Sequence, residues 1–126
     1  MKRISQPQGI IKTLPIDFFD NYKNGGLSGF EKSFMGMNIY NYHWIFSLPG
    51  KPKYDVLYFY LLFNGAIRYR ANIIGYEQID EAVNCADGSS RTAKIWVQVS
   101  SPIIKANPPI TMKGFQGFRY TDEVFE

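Results

Sequence analysis

The longest uninterrupted apolar run, Val56 to Phe63, lies inside the stretch YDVLYFYLLFNGAIRYRANIIGY, Tyr54 to Tyr76. The first arm is apolar at both parities, as a strand covered on both faces requires. The second alternates, with Ile67, Tyr69, Ala71 and Ile73 on one side and Arg68, Arg70 and Asn72 on the other, as a half-buried strand does. Between them stands Asn64-Gly65, and a tight primed turn needs the positive φ that these two residue types tolerate. The pattern predicts a long hairpin whose first arm lies inside and whose second arm turns two arginines outward.

Elsewhere the pattern is shorter-ranged. Gly9 to Leu14 reads as a first strand cut off by Pro15, which suits the first turn of a helix carrying Asp17, Phe18, Phe19 and Tyr22 and stopping at Gly25-Gly26. Ser28-Gly-Phe-Glu31 has the form of a capping box and predicts a second short helix over Gly29 to Met35. Tyr42 to Leu48 predicts a strand with aromatics on both faces, closed by the turn Pro49 to Pro52. From Gln78 to Arg91 periodicity is lost and a loop is expected. Alternation returns at Ala93 to Val99, where Trp96 sits between Lys94 and Gln98 on the less apolar side and is expected to be exposed. Pro102, Pro108 and Pro109 then exclude a helix and a central strand alike. The tail from Lys113 repeats a Gly-Phe unit and ends at Arg119-Tyr120.

These elements fit one domain over residues 1–126 of α+β, β-rich class. About five to seven strands and two short helices, joined by hairpins and meanders, favour a strongly bent sheet or small closed barrel. A hydrophobic fraction of 45% is enough for a core without metals or disulfides. The aromatic share of 17% makes ring-filled β packing the ordinary explanation for any one aromatic.

Net charge is +3, which permits a nucleic acid partner without demanding one. With one cysteine, Cys85, and one histidine, His43, no disulfide within the chain and no Cys/His zinc site can be built. No metal or cofactor is expected, and the cysteine count fits a reducing cytoplasm. MKRISQPQG is not followed by an apolar run of signal-peptide length, and Val56 to Phe63 is too short to cross a bilayer. A cytoplasmic protein without a membrane partner is the expectation.

Catalytic patterns are sparse. Nothing in the spacing pairs Cys85 with His43, and Asp80-Glu81 and Asp122-Glu123 are adjacent residues that point apart in an extended chain. No phosphate loop, dinucleotide fingerprint or metalloprotease helix is present. What remains is a binding constellation: Arg68 with Arg70, Lys94 with Trp96, Lys113 and Arg119 about the Gly-Phe tail, and the strip Tyr42-His43-Trp44. Guanidinium groups grip phosphate in a planar fork and aromatic faces stack on unpaired bases, so the mixture suits a nucleic acid. Arginines on a strand are more often simply solvated.

The order of elements resembles the PUA-like superfamily, which includes the ASCH and EVE domains. The resemblance rests on Tyr54 to Tyr60, on Gly65-Ala-Ile-Arg-Tyr-Arg-Ala-Asn-Ile-Ile-Gly-Tyr, on Ala93-Lys-Ile-Trp-Val-Gln-Val with the proline-rich stretch after it, and on the tail Gly-Phe-Gln-Gly-Phe-Arg-Tyr. It covers roughly Trp44 to Tyr120 and implies RNA binding or modified-base recognition in a concave aromatic pocket. The expected site then has Tyr42, Trp44 and Trp96 as stacking rings, Arg68, Arg70, Lys113 and Arg119 on phosphates, and no catalytic residue. Two other readings stand beside it: a ribonuclease-like hydrolase with His43 as general base, and a protein-interaction module using the same aromatics.

Overall fold

The computed structural model describes residues 7–14, 26–35, 44–84 and 90–122. In chain order these form β1 (Gly9–Thr13), α1 (Gly26–Met35), β2 (Trp44–Leu48), β3 (Tyr58–Phe63), β4 (Ala66–Glu77), β5 (Val83–Asn84), β6 (Ser90–Arg91), β7 (Ile95–Thr111) and β8 (Phe118–Thr121). The helix expected over Pro15 to Gly25 lies outside the described residues, as do Tyr42, His43 and Cys85.

At the centre is the predicted hairpin. Asn64 and Gly65 both take positive φ, 51° and 74°, the combination of a primed two-residue turn, and β3 and β4 run antiparallel from it. The main sheet has the order β2-β7-β4-β3-β1-β8, and it curls into a half-barrel. β5 and β6 pair separately within the polar loop. β1 lies parallel to β3 and antiparallel to β8. A parallel neighbour cannot be reached by a tight turn, so the chain crosses over between β1 and β3, and α1 and β2 belong to that crossover.

Because side chains alternate along a strand, β3 feeds two cores. Phe59, Leu61 and Phe63 point to a first face shared with Ile10, Leu14, Phe46, Leu48, Tyr69, Ala71, Val97 and Val99. There α1 lays down Phe30 and Phe34, one helical turn apart, their rings stacked at 5.3 Å. Tyr60 and Leu62 point to a second face with Ile11 and Ile67. Both arms of the expectation for β3 hold: every residue from Phe59 to Phe63 is buried.

The second arm departs from simple alternation. Leu61 pairs with Tyr69 but Leu62 pairs with Ile67, which leaves Arg68 as an extra, bulged residue in β4. Ile67 therefore faces the second core and Tyr69 the first, where unbroken alternation puts them on one side. Three further irregularities interrupt the β4–β7 ladder, between Ile67 and Tyr69, Arg70 and Asn72, and Ile73 and Gly75. Bulges bend and twist a ribbon, which is how strands this long curl rather than lie flat. Ile74, the unpaired residue of the last bulge, is 56% exposed.

Two other expectations are corrected. The helix begins at Gly26, before Ser28, so Ser28 is an interior residue and not a cap. Glu31 instead accepts the Tyr69 hydroxyl proton across the first face and lies 3.9 Å from the Lys105 ammonium. The prolines do not end the strand that starts at Ile95; β7 runs on to Thr111. Their exclusion from a central position is nonetheless respected. β2 pairs only with Ile95 to Val99, so Pro102, Pro108 and Pro109 lie where β7 has a single neighbour, in the stretches its bulges leave out of register.

Candidate functional site

Register brings distant cations onto the second face. Arg119 of β8 pairs with Ile11 of β1, Ile11 with Tyr60 of β3, and Tyr60 with Arg70 of β4. Residues opposite one another across a ladder share a face, so these four form one row. Three strand spacings at about 4.8 Å separate the two arginine Cα atoms by about 14 Å. The adjacent row is Thr121, Gly9, Tyr58, Asn72 and Ser100.

Each arginine lies on a ring. The Arg70 guanidinium is 4.2 Å from the Tyr58 centroid, a diagonal cross-strand contact, and the Arg119 guanidinium is 4.3 Å from that of Phe115. Phe115 comes from the connection between β7 and β8, which folds back over the second core. Met112 donates its N–H to the Gly65 carbonyl at 3.0 Å and Phe115 its N–H to Thr13 Oγ1 at 3.2 Å, while both side chains pack on the second cluster. That connection also carries Lys113, which is exposed. Neither Arg70 nor Arg119 forms an ion pair among the described residues. Arg70 Nε and Asn72 Oδ1, two residues apart on β4, are buried without hydrogen-bond partners.

Of the seven residues expected at the site, Arg70 and Arg119 are brought to this one side. Arg68 is not. As the bulged residue it turns back on the hairpin, where Nε donates to the Phe63 carbonyl at 2.8 Å and Nη2 to the Asn64 carbonyl at 2.9 Å. Two of its five N–H donors are occupied in closing the turn. Arg68→Ala is expected to destabilise the fold by about 1–3 kcal/mol, the worth of hydrogen bonds from a charged donor, as measured by urea unfolding.

Trp96 corrects another expectation. It is 2% exposed, because β7 is flanked there by Ser47 of β2 and Glu77 of β4 in the interior of the sheet. Its indole N–H is buried without a partner and its face cannot stack on a ligand. Trp44 is the first residue of β2, paired with Val99, and Tyr42 precedes the described strand.

The cations border a sheet face. A depression is present elsewhere, lined by Pro7, Tyr54, Tyr120, Thr121 and Asp122, and none of the seven residues belongs to it. Sequence reading missed Tyr58 and Phe115, the rings that carry the arginines. The signal available was local only for Tyr58, two positions from Tyr60 on an alternating strand. It also passed over half-buried Lys12, whose ammonium is held below the usual lysine range by burial first and by Arg91 second.

Among the described residues no group of three or more His, Cys, Asp or Glu could hold a metal ion, and no helix is long and apolar enough to cross a membrane. No protein-family model matches the chain, and neither does any curated protein or solved structure.

Proposed function

We propose that this chain is a small, non-catalytic, PUA-like module that binds single-stranded RNA or DNA on the second face of its sheet. The observation that carries the reading is the Arg70–Arg119 row, with each guanidinium over an aromatic ring and no carboxylate paired to it among the described residues. A ring beneath a guanidinium orders it before any ligand arrives, which lowers the entropic cost of binding. The outer plane of the guanidinium remains a surface on which an unpaired base stacks, and its in-plane N–H groups form the fork that phosphate takes. Exposed Lys113, on the connection that carries Phe115, adds a positive charge nearby in the chain.

Binding of this kind is salt-dependent, because each phosphate neutralised releases counterions. The test is fluorescence anisotropy of labelled single-stranded oligonucleotides across a salt series. In the Arg70→Ala, Arg119→Ala double variant the slope of log affinity against log salt is expected to lose about 1.4, two contacts at about 0.7 each for a single strand. Arg68→Ala, which touches only the turn, is expected to leave the slope unchanged. A double variant with the parent's slope and affinity removes this face from the interface. If the double variant folds and still captures a protein partner, the interaction-module reading replaces this one.

A further inference from the structure

One pair of side chains on the second face has no hydrogen-bond partner. Arg70 and Asn72 both project there from β4, opposite Tyr60 and Tyr58, and neither side chain forms a hydrogen bond or ion pair among the described residues. The two buried atoms, Arg70 Nε and Asn72 Oδ1, are a donor and an acceptor. Buried polar atoms of folded proteins are nearly always paired, so two orphans this close in the strand mark a place where something else completes the set.

Local structure keeps the pair available. Arg70 stands opposite Ile104 and Asn72 opposite Ser100, so three residues of β7, Ser101 to Ile103, stand against Ala71 alone. A bulge of this kind interrupts the ladder beside both side chains, and bulges re-aim side chains next to functional sites. Pro102, inside it, has no N–H to offer the Asn72 carbonyl. The Arg70 guanidinium is kept over the Tyr58 ring. Both residues are half-buried, and the terminal torsion of asparagine is broad, so with no hydrogen bond to lose Oδ1 turns to the surface at little cost.

Phosphate does not complete this set. Its oxygens suit Arg70, but beside Oδ1 they meet a second acceptor. What fits is a group with an acceptor and an N–H side by side. The Watson–Crick edge of an unpaired nucleobase is such a group, and in a duplex that edge is already taken by the partner base.

We infer that Arg70 and Asn72 form a base-reading subsite, in which an unpaired base accepts from the Arg70 guanidinium and donates to Asn72 Oδ1. The inference rests on the proposed binding of single strands to this face, and it adds Asn72, a residue that no charge argument selects. The five N–H donors of Arg70 let it hold a phosphate on one edge and the base on another.

The test is fluorescence anisotropy with two labelled single strands of equal length and phosphate number, one bearing bases and one abasic throughout, across one salt series. Asn72→Ala is expected to weaken binding of the base-bearing strand about tenfold, the discrimination that one good base contact carries. Binding of the abasic strand and both salt slopes are expected to stay at the parent's values, because no phosphate contact is lost. Asn72→Leu, close to asparagine in volume, keeps the packing and is expected to behave the same. Binding of the base-bearing strand that Asn72→Leu leaves unchanged, or an equal loss for both strands, overturns the subsite while the proposed interface stands. If neither strand binds the parent protein, the interface itself fails and the subsite falls with it.

Discussion

Replacing Phe34 with alanine is expected to destabilise the fold by about 3–5 kcal/mol, the range for emptying a buried aromatic site. Phe34 is fully buried and joins three elements: its ring stacks on Phe30 within α1, meets Phe46 of β2 edge-on at 6.3 Å, and meets Tyr69 of β4 edge-on at 5.8 Å. The space is walled by rings from three elements, which can close over it only in part, so the cavity term adds to the lost transfer term. For a domain whose whole stability is on the order of 5–15 kcal/mol this is a large fraction. The midpoint of thermal unfolding should fall by roughly 10–20 °C. Phe34→Leu, which refills most of the volume, should cost well under half as much. Urea and thermal unfolding of the two variants decide it, and a loss below about 1 kcal/mol for the alanine would mean that α1 does not seal the first face.

The second large effect is expected at Gly9. A Cβ there would lie 2.5 Å from the Tyr58 carbonyl oxygen and 2.6 Å from the edge of the Tyr60 ring. Neither neighbour can yield. The carbonyl belongs to the β3 backbone beside β1, and Tyr60 is fully buried on the second face. Gly9→Ala must therefore push β1 away from β3 and disturb β8, whose strand neighbour in the sheet is β1. The expected cost is about 3 kcal/mol, the upper part of the range for overpacking a tight site. Combining Gly9→Ala with Tyr60→Leu removes the ring contact but not the backbone one. The double variant should be more stable than the sum of the two losses by about 1 kcal/mol, a coupling typical of residues in contact. Strict additivity would show that the ring and the strand do not compete for the same space. Since Arg119 sits on β8, the single variant should also weaken oligonucleotide binding if the proposed face is correct.

How far a residue's role could be read in advance follows the range of the interaction that sets it. Asn64-Gly65 was legible because positive φ at two adjacent positions is a local demand. The two-sided burial of β3 was legible because unbroken apolarity excludes a solvent face. The helix carrying Phe30 and Phe34 was found but its start was misplaced, since Ser28 fits a cap in isolation and Glu31 is drawn instead to Tyr69. Trp96 misled because its strand neighbours Lys94 and Gln98 are polar, yet its burial depends on β2 and β4 lying on either side. Arg68 misled because a bulge cannot be seen in a pattern that looks regular.

What the chain determines by itself, then, is each property that a few consecutive residues enforce: the turn, the burial of β3 on both faces, the prolines' exclusion from a place between two strands. Tertiary structure alone decided the rest. The row Arg119, Ile11, Tyr60, Arg70 spans four strands, with β1 inserted parallel to β3 and antiparallel to β8. A shift of one residue in any of those ladders would send an arginine to the opposite face. Which cations meet, and which rings they lie on, is a matter of register between segments far apart in the chain, and side-chain alternation fixes that register only to within shifts of two residues.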